Sequence, residues 1–204
     1  MLVRGRLAEA DPAGFAEYCE ERFRSDPKGE LADTFAYEAG RVYFERGTVE
    51  GDRSAERAYR LVLEGWTLRT SGVWDDAIWD LSLIAHRRGE FLTEIGLLEH
   101  FLEQRVVATP PGSYEHGNYK QAWLRIVGLY LDELADVGKA ITWLEEFPEE
   151  FPLARARGEA LYLLAGALDR VGEPARATAV RTELLEKFPD SKWARRLRRS
   201  AGTL

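Results

Sequence analysis

One cysteine in 204 residues is the first constraint. Cys19 alone forms no intramolecular disulfide, and no cysteine-based zinc site can be built around it. Set among Phe15, Tyr18 and Phe23, it reads as a small buried or half-buried residue rather than a nucleophile. Histidine is scarce too. His86, His100 and His116 are never three or four residues apart, so no pair shares a helical face at ligand spacing. No metal and no cofactor is expected. The chain also lacks G-x-S-x-G, a P-loop, G-x-G-x-x-G and H-E-x-x-H, which argues against an enzyme. No run approaches the ~18 apolar residues that span a bilayer. Met1-Leu2-Val3-Arg4-Gly5-Arg6 lacks the apolar stretch and small-residue cleavage site of a signal peptide, so the cytoplasm is the expected location. Basic residues are outnumbered, 28 Lys and Arg against 35 Asp and Glu. A net charge of −7 makes nucleic acid an unfavourable partner, because non-specific affinity comes from neutralising phosphates.

What is present is helix. A hydrophobic share of 45% with 31% charged residues suits a globular protein with a substantial core. Asp11-Pro12 pairs an N-cap acceptor with proline at the first helical position, predicting a helix to about Arg24 that Asp26-Pro27-Lys28-Gly29 breaks. The next is expected over Glu30 to Arg46, closing at Gly47, and its partner over Ser54 to Arg69. A second pair is expected at Val73 to Arg88 and Glu90 to Arg105, hinged at Gly89. Val106 to Asn118, with Pro110-Pro111-Gly112, interrupts the pattern as a long loop or a weak domain boundary. The loop is favoured because similar pairs continue on both sides. Helices then follow at Tyr119–Leu134, Gly138–Phe147, Leu153–Val171 and Pro174–Phe188, and Pro189-Asp190-Ser191 stops one helix and caps a short last one. No stretch alternates with period two for long enough to build a sheet.

The C-terminal half repeats itself. Leu124, Val127-Gly128, Leu131, Ala140, Leu144 and Pro152 are echoed by Tyr162, Ala165-Gly166, Ala177 and Pro189, with both the alanines and the prolines 37 residues apart. Weaker echoes are Ala36, Ala39-Gly40, Tyr43, Gly47 and Ile78, Leu81-Ser82, Ala85, Gly89. Gly40, Ser82, Gly128 and Gly166 are expected where paired helices approach closely, with Ala140 and Ala177 in the reciprocal role. The spacing between the four small residues is uneven, at 42, 46 and 38. Asp169 and Arg181 stand where bulky apolar residues are usual.

These motifs resemble a degenerate tetratricopeptide (TPR) repeat over about Glu30 to Arg199. The resemblance implies an all-α, right-handed α-α superhelix, a TPR-like solenoid of about ten helices with no sheet. Residues 1–29 would form an N-terminal helix packed on the solenoid. Residues 30–190 would form about four hairpins and 191–204 a capping helix and tail, all in one structural domain. It also implies a peptide or helix of another protein bound in the concave groove lined by the first helix of each pair. With the small residues as register marks, that face presents Tyr37, Arg41, Phe44, Trp79, Leu83 and His86. It continues through Arg125, Leu129, Asp132, Leu163 and Arg170. Aromatics with arginine are typical of binding hot spots, and Arg41, Arg125 and Arg170 would pair with carboxylates of the ligand. For Tyr37, Phe44 or Trp79 taken singly, packing is the commoner role.

Other readings are weaker. Self-association through the terminal helices, with Trp193 and Leu197 at an open end of the stack, makes a homo-oligomer the alternative. A small-molecule receptor or enzyme would need convergent polar groups that nothing here specifies. The six tryptophans (Trp66, Trp74, Trp79, Trp123, Trp143, Trp193) read as inter-helix packing. Glu145-Glu146 and Glu149-Glu150 read as a solvated helix end, and Lys192, Arg195, Arg196, Arg198 and Arg199 as solvation of the last helix.

Overall fold

The computed structural model of the protein describes residues 10–104, 117–151 and 156–201. Pro152, Pro110-Pro111-Gly112 and His116 lie outside the described residues. Ten helices and no strand occur among those described. They are α1 (Pro12–Ser25), α2 (Ala32–Glu45), α3 (Val49–Gly65), α4 (Trp74–Arg87) and α5 (Phe91–Glu103). Then come α6 (Gly117–Gly128), α7 (Val137–Glu150), α8 (Arg157–Arg170), α9 (Pro174–Lys187) and α10 (Lys192–Ala201). No helix among the described residues is long and apolar enough to cross a membrane.

Two compact units result, Met1–Gln104 and Arg105–Leu204. The division falls at the interruption that the sequence treats as a loop inside one domain. In the first unit each helix packs on its successor, and α2 also touches α4, so first helices of successive pairs lie side by side. In the second, α6 to α10 pack in chain order and α10 also returns to α8.

Local chemistry accounts for the boundaries. The Asp11 carboxylate accepts from Gly14 N at 3.0 Å and Pro12 opens α1, as its sequence predicts. Gly47 closes α2 with φ +64°, a left-handed conformation that costs an L side chain about 1 kcal/mol or more. α3 starts earlier than expected, at Val49, because the Thr48 hydroxyl accepts from Gly51 N at 3.0 Å and caps it. α7 runs past Phe147 to Glu150 with Pro148 inside its last turn. The end of α6 departs from the sequence pattern. Leu129–Glu133 is a π-helical turn, closed by Leu134 N donating to Leu129 O at 3.0 Å.

Burial follows the apolar stripes. Phe15, Ala16, Cys19, Ala39 and Val42 form a cluster of α1 and α2 that Phe35 and Tyr43 cover. In the second unit Leu161, Leu184 and Ala194 are overlaid by Tyr162, Val180, Leu185, Phe188, Trp193 and Leu197, so the apolar side of α10 is occupied within its own unit. Trp123 is buried against Trp143, centroids 4.3 Å apart, and its indole N–H donates to Trp143 O at 2.8 Å. Each such large side chain contributes about 1.5–3 kcal/mol.

The four small register residues are not equivalent. A Cβ on Gly40 would stand 2.6 Å from Tyr59 Cε1, so α2 and α3 do approach closely there. Ser82 is buried and its hydroxyl donates to Trp79 O at 2.7 Å. A Cβ on Gly128 or Gly166 would meet nothing within 4 Å, which corrects the expectation that they mark tight crossings. Gly40→Ala is therefore expected to lower stability by about 1–3 kcal/mol through overpacking. Gly166→Ala, on the exposed side of α8, is expected to raise it by about 0.5–1 kcal/mol. Urea midpoints of the two variants check both signs.

Candidate functional site

The side-by-side packing of α2 and α4 is pinned by one carboxylate. Asp80 Oδ2 accepts from the Tyr37 hydroxyl at 3.3 Å and from the Tyr59 hydroxyl at 3.0 Å, joining α2, α3 and α4. Gly40 makes this possible, since the Tyr59 ring lies where a β-carbon would otherwise project. Tyr59 is fully buried, 5.7 Å from the Tyr37 ring and 6.5 Å from Phe44. Burial, then the Asp80 charge, pushes both phenols well above the usual tyrosine range. Burial likewise raises the Asp80 carboxyl, opposed by the two phenol hydrogen bonds and by the fields of Arg41 and Arg87.

The expected residues of this face have separate fates. Tyr37, Trp79 and Leu83 are half-buried. Trp79 and Leu83 share one side of α4 with Asp76 and Asp80, at three- and four-residue spacing. Arg41 is held along its own helix, to Glu38 at 2.8 Å and Glu45 at 3.2 Å. Phe44 lies 3.9 Å beneath the Arg87 guanidinium, which also donates to Phe44 O at 3.3 Å and Asp52 Oδ1 at 2.8 Å. His86 reaches α5 instead: its Nδ1 is 2.8 Å from Oε2 of the fully buried Glu94, and its ring is 5.5 Å from Phe91. Asp80 was missed by the sequence pattern, because one aspartate on an amphipathic helix looks like solvated surface.

In the second unit a cavity of about 440 Å³ is lined by Leu131, Asp132, Tyr162, Leu163, Gly166 and Arg170, among others. Three expected residues, Asp132, Leu163 and Arg170, thus line one cavity. Arg170 also donates to Leu131 O of the π-helical turn at 3.1 Å. Arg125 is half-buried and is not a lining residue. Leu129, the first residue of the π turn, is only 2% exposed, which removes it from any ligand-facing surface. Asp169 and Arg181, the two departures from the apolar pattern, pair with each other across α8 and α9. Glu145 likewise pairs with Arg176.

A further hollow of about 690 Å³ is lined by residues of α1 and α2 and their flanks, among them Phe15, Tyr18, Cys19, Leu31, Phe35, Asp11 and Glu38. Among the described residues, no three His, Cys, Asp or Glu side chains are grouped to hold a metal ion.

Solved helical-repeat proteins share this architecture. One is a protein of Podosopora anserina assigned as a kinesin light chain, with nearly identical TPR-like repeats. It has a TM-score of 0.60 at 15% identity, covering 89% of this chain and 90% of that one. YrrB, described as a TPR protein with an unusual peptide-binding site, gives 0.55 at 15% identity over 96% and 88%. PilW, a type IV pilus biogenesis factor, gives 0.52 at 14% identity over 96% of both chains. The fold is a TPR-like, all-α helical repeat. No family model matches the sequence, and no curated protein matches it either.

The raised Asp80 carboxyl generates a pH prediction. Its proton is held more tightly in the folded chain than at the ordinary value of 3.8, so the ionised group lowers stability at neutral pH. That deficit shrinks as pH falls through the folded value and is gone below 3.8. Asp80→Asn, which keeps an acceptor for both phenols, should melt at or above the wild-type temperature at neutral pH. The gap should narrow as pH falls toward 3.8. Melting curves across that range decide it, and a variant less stable at neutral pH would contradict this account.

Proposed function

We propose that this protein is a non-catalytic scaffold that holds a peptide or helix of a partner protein against the faces of its first helices. The observation that carries this reading is the Tyr37–Asp80 hydrogen bond. It fixes α2 beside α4 and leaves Trp79 and Leu83 half-buried on one strip next to it. A rigid strip with a half-exposed indole offers large contact area at little ordering cost, which is the usual make-up of an anchor. The cavity lined by Leu163 and Tyr162 supplies a surface of similar character in the second unit. Peptide binding by YrrB, as its description states, fits the same reading. Arg41 and Arg170, engaged within the chain, serve the fold in this account, and recognition rests on aromatic and aliphatic burial.

The test compares wild type with the Trp79→Ala, Leu83→Ala double variant in a pull-down from native lysate, read by mass spectrometry. The enriched protein is then purified and titrated. A partner whose Kd weakens at least about tenfold in the variant supports the reading. A partner bound equally by both, or none enriched over a control, would overturn it.

A further inference from the structure

We infer that the strip on α4 is a docking surface for a basic segment of the partner, with Asp80 receiving a lysine or arginine side chain; this rests on the binding reading above. The argument starts from what Asp80 has. Both phenols converge on Oδ2, while Oδ1 takes no hydrogen bond and no cation lies within ion-pair distance among the described residues. The two arginines whose fields reach it are committed elsewhere, Arg41 to Glu38 and Glu45, Arg87 to Asp52 and the Phe44 carbonyl. A half-buried carboxylate without a cation carries a desolvation cost that its two neutral hydrogen bonds only partly offset. An asparagine oxygen would also accept from both phenols, through weaker hydrogen bonds but without the cost of burying a charge. The fold needs an acceptor at this position, and the half-buried charge is an added cost.

What surrounds it suits a cation. Asp76 lies one turn before Asp80 on the same side of α4, and its field is felt at Tyr37, so two carboxylates converge on the junction of α2 and α4. Trp79, on the adjoining position, is half-buried, and its side chain makes no ring contact or hydrogen bond with a described residue. An indole one turn from Asp76, on the same side of α4 as Asp80, offers an ammonium or guanidinium group cation–π attraction in addition to ion pairing. With Arg41 neutralised along its own helix, the polarity is the reverse of that expected from the sequence. The ligand brings the cation and the protein the carboxylate.

The full chain is titrated with four blocked pentapeptides, acetyl-Ala-Ala-X-Ala-Ala-amide, in which X is lysine, arginine, norleucine or glutamate. Binding is read from the Trp79 indole resonance in a nitrogen-15 correlation spectrum, assigned with Trp79→Phe. Lysine and arginine peptides should shift it at about 10 mM, the range in which one anchored residue binds, and the other two should not. Asp80→Asn should weaken the lysine peptide about tenfold, and added salt should do the same to a lesser degree. Equal shifts by lysine and norleucine, a preference for glutamate, or no shift by either cationic peptide would overturn the inference. The peptide comparison needs no variant, so it stands even if Asp80→Asn perturbs packing. A partner lost by the Trp79→Ala, Leu83→Ala variant but held by Asp80→Asn would sink the cation site and keep the scaffold. Cationic shifts without any such partner would do the opposite.

Discussion

A single carboxylate oxygen joins three helices of the first unit. Asp80 Oδ2 is shared by hydroxyls from two helices, 43 and 21 residues away in sequence, and so joins α2, α3 and α4. The bond to Tyr59 exists only because Gly40 offers no side chain, so a steric condition on α2 permits an electrostatic one on α4. Burial then makes the cluster polar in a poorly solvated place, where each hydrogen bond counts for more and ionisation is costly.

The arginines show how far tertiary context rewrites a surface. Arg41 is balanced by two glutamates of its own helix, Arg87 rests on Phe44, and Arg170 satisfies a carbonyl of the π-helical turn. A π turn shifts carbonyls out of register with the helical donors, and a long flexible cation from a neighbouring helix is a natural way to answer one. Free cations on the candidate faces are correspondingly few, while Asp80 is left without one among the described residues.

Much of the architecture was legible in the sequence. Periodic apolar positions, Asp11-Pro12, Gly47, Gly89 and the Phe188-Pro189-Asp190-Ser191 ending all act locally, over one turn or one cap, and each appears where the pattern predicts. The site was less legible. Tyr37, Trp79 and Leu83 are half-buried, whereas Leu129 is buried at the start of a π segment that no spacing rule foretells. Asp169 and Arg181 look like two violations of the repeat when read along the chain. Across α8 and α9 they are one ion pair.

The amino-acid sequence by itself determined that this chain is helical, that its helices come in pairs and roughly where each begins. Those outcomes depend on interactions within a few residues, and composition and periodicity record them directly. Only the tertiary structure decided which small residue is a close crossing, which arginines are already engaged, and that Asp80 sits beneath two tyrosines. Each of these depends on groups brought together from distant segments, at distances that no local pattern encodes.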